Sequence, residues 1–316
     1  MTETMPLEND LLQRVQTNIG RAFLGKPEVV KLALTAMLAE GHLLIEDVPG
    51  VGKTLLAKSL ARSLNATFHR IQFTPDLLPS DLLGTSIFHQ PSGQFVFQQG
   101  PIFAQVILAD EINRATPRTQ SALLEAMSDQ QVSIDGTTRK LGPPFMVLAT
   151  QNPYEFEGTY PLPESQLDRF MLRIRIGYPE RDQELAVLLQ HRLGEPAEKL
   201  ESVLQVSDIL ALQAQVRAIK MTNGLANYLL DIVQATRKHP DITLGGSTRA
   251  ALAFYRAVQA FALLSNRDFG TPDDVKRLAV PVLAHRLLTR QWKAGQAGDP
   301  ATAILTDIVS QLPVPV

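Results

Sequence analysis

The stretch that decides the fold is HLLIEDVPGVGKT, residues 42–54. The apolar run Leu43–Ile45 predicts a buried strand, the Pro/Gly-rich segment after it predicts a turn, and the apolar spacing over 55–64 predicts a helix. A strand, a glycine-rich loop and a helix N-terminus together bind phosphate, because backbone N–H groups point inward and the helix adds partial positive charge. Lys53 is expected to reach the β- and γ-phosphates, and the Thr54 hydroxyl to bind Mg²⁺.

The loop departs at one position from the pattern G-x-x-x-x-G-K-[ST], which places glycine where this chain has Asp47. The alternative interpretation is a simple turn that carries a surface lysine. The predicted strand before the loop and the predicted helix after it favour the phosphate-binding interpretation.

Composition restricts the class of protein. The chain has 316 residues, enough for two domains, and its 45% hydrophobic and 20% charged content is typical of a globular protein. A net charge of −2 argues against strong generic binding to nucleic acid. The absence of cysteine excludes disulfides and thiolate metal sites and fits a reducing cytosol, so we expect a cytoplasmic protein. We expect neither a signal peptide nor a membrane span.

Apolar runs alternate with helical patterns in the first two thirds of the chain, which predicts an α/β core with a mostly parallel sheet. After Pro179 only helical patterns appear, so we expect no further strand. The predicted strands cover 43–45, 67–73, 106–109, 145–150 and 170–176, and the later helices cover 182–193, 207–219, 224–238, 248–264 and 272–289. We predict a nucleotide-binding core over residues 1–195 and a helical domain over 196–316.

Two inserts in the core have the pattern of β-hairpins. The first has arms at 85–89 and 94–98 around a Pro-Ser-Gly turn, and the second turns at Asp135-Gly136. Arg139 and Lys140 lie on the return arm of the second hairpin. Each hairpin either only packs on the surface or moves and contacts a substrate or a neighbouring subunit.

Polar residues follow two of the buried strands. Asp110 and Glu111 end one strand, and Asn152 follows another. Asp110 is expected to hold Mg²⁺, Glu111 to polarise the attacking water, and Asn152 to orient that water or the γ-phosphate. The alternatives are a solvated acidic pair and an asparagine that caps a turn before Pro153. Because ligands bind at the carboxyl ends of parallel strands, we expect these residues and the loop to form one site.

These elements, together with LDRF at 167–170, resemble an AAA+ ATPase. Four details resemble its MoxR subfamily: EDVPGVGKT at 46–54, DEINR at 110–114, ATQNP at 149–153 and GGSTRA at 245–250. The resemblance covers most of residues 20–290 and implies a P-loop AAA+ core followed by a C-terminal all-helical lid domain. Asp47 is usual in that subfamily, whereas Thr248 stands where a proline is expected.

The resemblance implies an ATPase with ATP and Mg²⁺ as cofactors. Asp110 is implied to bind nucleotide, and Thr54 and Asp110 are implied metal ligands. The implied nucleotide-binding loop consists of Pro49, Gly50, Val51, Gly52, Lys53, Thr54 and Leu55. By analogy with the family, the adenine pocket involves Phe23, Leu24 and Gly25.

The implied catalytic residues are Glu111, Asn152, Arg169 and Arg249. Asn152 matches the sensor 1 position, Arg169 the arginine finger, which a neighbouring subunit supplies, and Arg249 the sensor 2 position. Whether Arg249 acts on its own nucleotide or on that of a neighbour stays open, and it could instead pair with surface acids. Arg169 could instead form a salt bridge with Asp168 or Glu164, and Arg114 and Arg118 are rival inter-subunit arginines.

The resemblance further implies a homo-oligomeric ring, commonly a hexamer, with nucleotide between subunits. Members of this family act as chaperone-like motors on protein clients, often with a von Willebrand factor A domain partner, in assembly or metal-cofactor insertion. Two alternatives remain: a DNA-stimulated AAA+ motor that touches phosphates through Arg139 and Lys140, and an ATP-gated scaffold with little turnover.

Overall fold

The structure is a computed structural model that describes residues 5–155, 158–192, 194–290 and 299–315, with side chains described from residue 11. Its strands are β1 Leu43–Glu46, β2 Phe68–Gln72, β3 Gly84–His89, β4 Gln94–Gln99, β5 Val106–Asp110, β6 Gln131–Ile134, β7 Thr137–Lys140, β8 Met146–Gln151, β9 Leu172–Ile174, β10 Ile242–Leu244 and β11 Leu288–Thr289. Its α-helices are α1 Met5–Ala22, α2 Pro27–Leu38, α3 Lys53–Ser63, α4 Pro79–Leu83, α5 Pro117–Asp129, α6 Glu164–Leu167, α7 Arg181–His191, α8 Val206–Val216, α9 Asn223–Lys238, α10 Thr248–Leu264, α11 Pro272–Leu283 and α12 Pro300–Gln311.

A five-stranded sheet lies at the centre of the core, in the order β2-β5-β8-β1-β9, and all of its pairings are parallel. The register places Glu46 beside Gln151 and Gln72 beside Asp110. The carboxyl ends of the strands therefore lie along one edge of the sheet. The order of the strands reverses next to β1, which makes this edge a topological switch point. The parallel α/β architecture is confirmed, and this edge is where a ligand is expected.

The central strands are buried on both faces, which explains why they read as continuous apolar runs. Leu43 and Ile45 pack with α1, α2 and α3 in one apolar cluster, while Leu44 packs on the opposite face with Leu123 and Leu124 of α5. Apolar residues from α8 to α12 join the first cluster, so the C-terminal helices are in continuous apolar contact with the core.

The C-terminal region is largely helical, as predicted, and two of its helices begin at the expected caps. The side chain of Ser247 accepts a hydrogen bond from the backbone N–H of Ala250, and that of Thr271 accepts one from the backbone N–H of Asp274. No helix in the described residues is both long enough and apolar enough to cross a bilayer.

Two expectations for this region are wrong, and one helix was missed. Strands do follow Pro179, because β10 and β11 pair antiparallel. The helix expected over 272–289 ends at Leu283, where a short 3₁₀ turn leads into β11. Helix α12 was not predicted, although Asp299 accepts a hydrogen bond from Ala301 N–H as its N-cap and Pro300 opens its first turn.

Both predicted hairpins are present, and they contact each other. Strand β3 pairs with β4, and β6 with β7, each antiparallel. The guanidinium of Arg139 lies 4.0 Å from the centre of the Phe97 ring. The hydroxyl of Ser86 donates to the carboxylate of Asp135 at 2.6 Å. The two inserts therefore form one surface feature of the core.

Candidate active site

The phosphate-binding loop has the backbone that its glycines allow. Gly50 and Gly52 have φ angles of 85° and 94°, in the left-handed region that favours glycine, and α3 begins immediately afterwards at Lys53. The Nζ of Lys53 donates a hydrogen bond to the backbone carbonyl of Asp47. Burial lowers the pKa of Lys53, while the nearby carboxylates of Asp47, Asp110 and Glu111 act in the opposite direction.

Asp47, the residue that departs from the general loop pattern, is buried and ties the loop to the segment after β9. One carboxylate oxygen accepts from the backbone N–H of Val48 at 2.9 Å. The other accepts from the N–H groups of Ile176 and Gly177, both at 2.7 Å. A glycine could not make these contacts, so Asp47 has a structural function in this loop.

One cavity of about 500 Å³ opens at the carboxyl edge of the sheet, within the range of about 300–1,000 Å³ typical of ligand pockets. Its wall includes the whole loop from Pro49 to Leu55, together with Asp110, Glu111 and Asn152. The structure thus brings together all the predicted residues of the loop and both strand ends. The predicted roles of these residues stay predictions.

Asp110 is held on both oxygens of its carboxylate. Its Oδ1 accepts from the hydroxyl of the buried Thr150 at 2.6 Å. Its Oδ2 accepts from the guanidinium of Arg70, with Nη2 at 2.7 Å and Nε at 3.2 Å. Asp110 is therefore an oriented, ionisable acceptor with a cationic neighbour inside the cavity.

Glu111 has an unusual backbone and two side-chain partners. Its φ of 57° is in the left-handed region, and its backbone N–H donates to Thr150 Oγ1 at 2.9 Å. Its Oε2 accepts from the side-chain amide of Gln72 at 2.7 Å and lies 3.2 Å from Nε of Arg114. Gln72 and Arg114 thus restrain the carboxylate that is the candidate general base.

Asn152 lines the cavity and also forms the turn that was its alternative interpretation. Its Oδ1 accepts from the backbone N–H of Tyr154 at 3.1 Å. The turn orients the side chain, and the amide nitrogen of Asn152 is the group that can donate to a ligand. Both interpretations of this residue are therefore compatible.

The two candidate catalytic arginines lie outside the wall of this cavity. Nη1 of Arg169 donates to the carbonyl of Leu124 and to the hydroxyl of Ser128, the latter at 2.9 Å. Arg169 makes no ion pair with any described residue, so the alternative of a salt bridge to Asp168 or Glu164 is wrong.

Asp168 pairs instead with the buried Arg286 at 3.0 Å and accepts from the hydroxyl of Ser247. Arg249 is exposed in the first turn of α10. Arg249 is therefore accessible for contact with another molecule. Arg114, a rival inter-subunit arginine, pairs within its own chain with Glu111 and Glu155.

Several residues of the cavity wall were missed by sequence reasoning. Arg70 and Gln72 flank the buried Ile71 on β2, and this local pattern is the signal that could have placed them at the strand end. Another part of the wall comes from residues after β9, namely Ile176, Gly177, Pro179, Val187, His191 and Glu195. These residues lie far from the loop in sequence and belong to no motif.

Two of the three residues predicted for the adenine pocket lie at this cavity, and their role stays a prediction. Phe23 and Leu24 line the cavity. Gly25, with φ 76°, lies against the side chain of Gln183 on α7 and is not part of the wall. A β-carbon at Gly25 would lie 2.2 Å from that side chain, so this glycine permits the close approach of α7.

The donor set suits a magnesium ion bound together with a nucleotide. Thr54 and Asp110 both line the cavity and offer a hydroxyl and a carboxylate, and Mg²⁺ prefers such oxygen ligands alongside substrate phosphates. The described residues contain no cluster of three or more His, Asp or Glu side chains that could hold a metal without a ligand.

Comparison with known proteins assigns the family. Residues 42–172 match the model of the ATPase family associated with various cellular activities (AAA), and residues 234–308 match an AAA lid domain. Chaperone MoxR1 of Mycobacterium tuberculosis is 40% identical, with 90% of this chain and 78% of that protein covered. An uncharacterized protein, YeaC, of Bacillus subtilis is 48% identical, with 97% and 95% covered.

A solved structure agrees with this assignment. The crystal structure of a candidate ATPase from Cytophaga hutchinsonii superposes with a TM-score of 0.90 at 37% identity and covers 98% of this chain and 96% of that one. The chain is therefore a MoxR-family AAA+ ATPase.

Proposed function

We propose that this ATPase hydrolyses ATP with Mg²⁺ and uses the energy for chaperone-like remodelling or assembly of protein clients. The observation that carries the proposal is the shared cavity of Lys53, Thr54, Asp110, Glu111 and Asn152. Mg²⁺, when bound, neutralises charge that develops on the phosphates. We assign it to Thr54 and Asp110.

The remaining residues divide the work on the nucleotide. The backbone from Pro49 to Leu55 and the ammonium of Lys53 bind the phosphates. The carboxylate of Glu111 accepts a proton from the attacking water, and the amide of Asn152 orients that water or the γ-phosphate. The hydrogen bond from Gln72 and the ion pair with Arg114 must weaken before the carboxylate of Glu111 can contact the attacking water.

We infer a homo-oligomeric ring, with a hexamer as the expected form. The positions of Arg169 and Arg249 outside the cavity support this inference, because each can then complete the site of an adjoining copy. Phosphoryl transfer gains from such a positive charge at the transition state. We assign the nucleotide-binding core to residues 1–195 and the lid to 196–316.

A protein client is supported by the first hairpin. The segment 84–100 contains no Asp, Glu, Lys or Arg, and its tip exposes Ile87, Phe88, Phe95 and Val96. An uncharged tip with exposed aromatic rings suits contact with apolar polypeptide better than contact with phosphates. The cation of Arg139 is already directed at Phe97.

The name of the Mycobacterium tuberculosis relative, Chaperone MoxR1, agrees with a protein client. A von Willebrand factor A domain protein is the partner that we propose, and metal-cofactor insertion is the type of assembly.

The client hypothesis is tested by ATP turnover in the presence of a permanently unfolded, non-aggregating protein. We expect stimulation of the wild type and loss of stimulation in the double variant Phe88→Ser, Phe95→Ser. The matched control is Leu252→Ser, an apolar residue of similar exposure on α10, which should keep the stimulation. Stimulation by DNA alone, with strong salt dependence, would favour the nucleic-acid motor instead.

Ring formation is tested separately by sedimentation velocity of Glu111→Gln, a variant expected to retain ATP. A single species of six times the monomer mass with ATP and Mg²⁺ is expected. A monomer under these conditions would contradict the ring.

A further inference from the structure

Arg70 is a cation in the cavity for which the proposed mechanism has no use. It lies near the carboxyl end of β2 and lines the same wall as Lys53 and Asp110. Its guanidinium directs Nε and Nη2 at one oxygen, Oδ2 of Asp110, at 3.2 and 2.7 Å. Nη2 also donates to the side-chain oxygen of Gln72 at 3.2 Å. Arg70 is thereby oriented toward the candidate metal ligand.

The other oxygen of Asp110 offers no easier access. Oδ1 accepts from the hydroxyl of Thr150 at 2.6 Å, and Thr150 is fully buried and also accepts from the backbone of Glu111. A cation that approaches Asp110 from the cavity therefore meets Oδ2, the oxygen that Arg70 occupies. Half of the Arg70 side chain is exposed to solvent, so it can exchange partners without disturbing the core.

We propose that Arg70 competes with Mg²⁺ for Oδ2 of Asp110 and so sets the magnesium concentration at which nucleotide is retained. Without the metal and nucleotide, Arg70 neutralises Asp110. Binding of the metal–nucleotide complex displaces the guanidinium from this oxygen. Arg70 is thus a positioning residue, and this role depends on the proposed use of Mg²⁺.

The competition has a signature that a merely structural ion pair lacks. Loss of a structural pair would lower the thermal stability and leave the metal requirement unchanged. Loss of a competitor lowers the magnesium concentration needed for half-maximal binding. The readout is binding of a fluorescent ADP analogue, titrated with Mg²⁺, so that hydrolysis does not enter.

We expect the magnesium midpoint to fall by about two- to fivefold in Arg70→Gln, the upper part of the range for loss of a partly exposed charge pair. Arg70→Lys keeps the charge but lacks the fork of donors, and its midpoint should lie between those of Arg70→Gln and the wild type. The matched control is Lys26→Gln, because Lys26 lines the cavity but donates to the carbonyl of Tyr178. Its midpoint should equal that of the wild type.

The outcomes separate the inference from the proposed function. If the wild type responds to Mg²⁺ and Arg70→Gln has an equal or higher midpoint, Arg70 does not compete and the inference is overturned. An equal fall of the midpoint in Lys26→Gln would mean that the effect comes from the total charge of the cavity, and this result would also overturn the inference. If binding of the ADP analogue by the wild type is independent of Mg²⁺, the inference fails, whereas the proposed Mg²⁺-dependent hydrolysis still stands and is tested by turnover.

Discussion

The carboxylate of Asp47 accepts hydrogen bonds from the backbone N–H groups of Ile176 and Gly177, each at 2.7 Å. This contact joins the end of β1 to the segment that follows its neighbouring strand β9. The same segment continues through Pro179 to α7, whose residues line the nucleotide cavity. Asp47 thus fixes the phosphate loop to the segment that leads into α7.

Asp47→Gly, which restores the general loop pattern, is expected to lower the free energy of unfolding by about 1–3 kcal/mol, because buried N–H groups lose their acceptor. It should also weaken ADP binding, since the loop loses its anchor. Asp47→Asn, which keeps one carbonyl oxygen, should lose less. Urea unfolding and ADP titration measure both effects. Unchanged stability in Asp47→Gly would show that the contact does not anchor the loop.

Arg169→Ala is expected to reduce ATP turnover by about 10³-fold or more while nucleotide binding is retained. The physical reason is the loss of a cation that acts on the nucleotide of an adjoining copy. Mixing Arg169→Ala with Lys53→Ala should restore part of the turnover, because the second variant supplies the arginine to the intact cavity of the first. Absence of any restoration in mixed assemblies would place the action of Arg169 within its own chain.

Arg173→Met is expected to destabilise the fold by about 3–5 kcal/mol, because it leaves the buried Glu46 and the partly buried Asp299 without their cation. Arg173 is 14% exposed and pairs with Glu46, at 3.0 Å, and with Asp299, the N-cap of α12. Thermal unfolding of the single variant and of Arg173→Met combined with Glu46→Gln measures the coupling. The combined variant should recover part of the loss. Equal melting temperatures of wild type and Arg173→Met would contradict the role of this network.

His42 should make stability depend on pH. It is fully buried, with Nε2 3.0 Å from the carbonyl of Met127, and Nδ1 accepts from the N–H of Val147 at 3.1 Å. Burial lowers its pKa from 6.5 to about 4, so the imidazole stays neutral in the folded state. Between these values the unfolded chain binds more protons, so stability is complete above pH 6.5 and is lost as the pH falls toward 4.

The expected loss from this one group is about 3 kcal/mol by pH 4. The buried His285 adds a loss of the same sign, because burial and the neighbouring Arg286 and Arg173 lower its pKa as well. The variant His42→Gln should show a smaller difference in unfolding free energy between pH 7 and pH 5 than the wild type. An identical difference would mean that His42 does not remain neutral in the folded state.

The sequence was sufficient to predict the parallel sheet and the residues at its carboxyl edge. The strands that carry Ile45, Leu108 and Leu148 are short, apolar over most of their length and end in polar residues, so pattern alone located them. The contacts made by Asp47 could not be predicted, because its partners lie about 130 positions away in the chain. The contact between the side chains of Arg70 and Asp110 likewise depends on strand order.

The missed elements have a different cause. Strands β10 and β11 have three and two residues, too few for any periodicity, and they form only because the two segments meet. Helix α12, by contrast, had a local signal at Asp299-Pro300 and apolar residues at Ala301, Leu305 and Ile308. That helix could have been predicted from the sequence.

Phosphate release in a single turnover by Glu111→Gln, compared with the wild type at saturating ATP and Mg²⁺, tests most directly whether this cavity hydrolyses ATP as proposed. The expected result is a rate lower by about 10²–10⁴-fold with ATP still bound, because the water loses its general base while the loop and Lys53 stay intact. A rate equal to that of the wild type would contradict the assignment of the site.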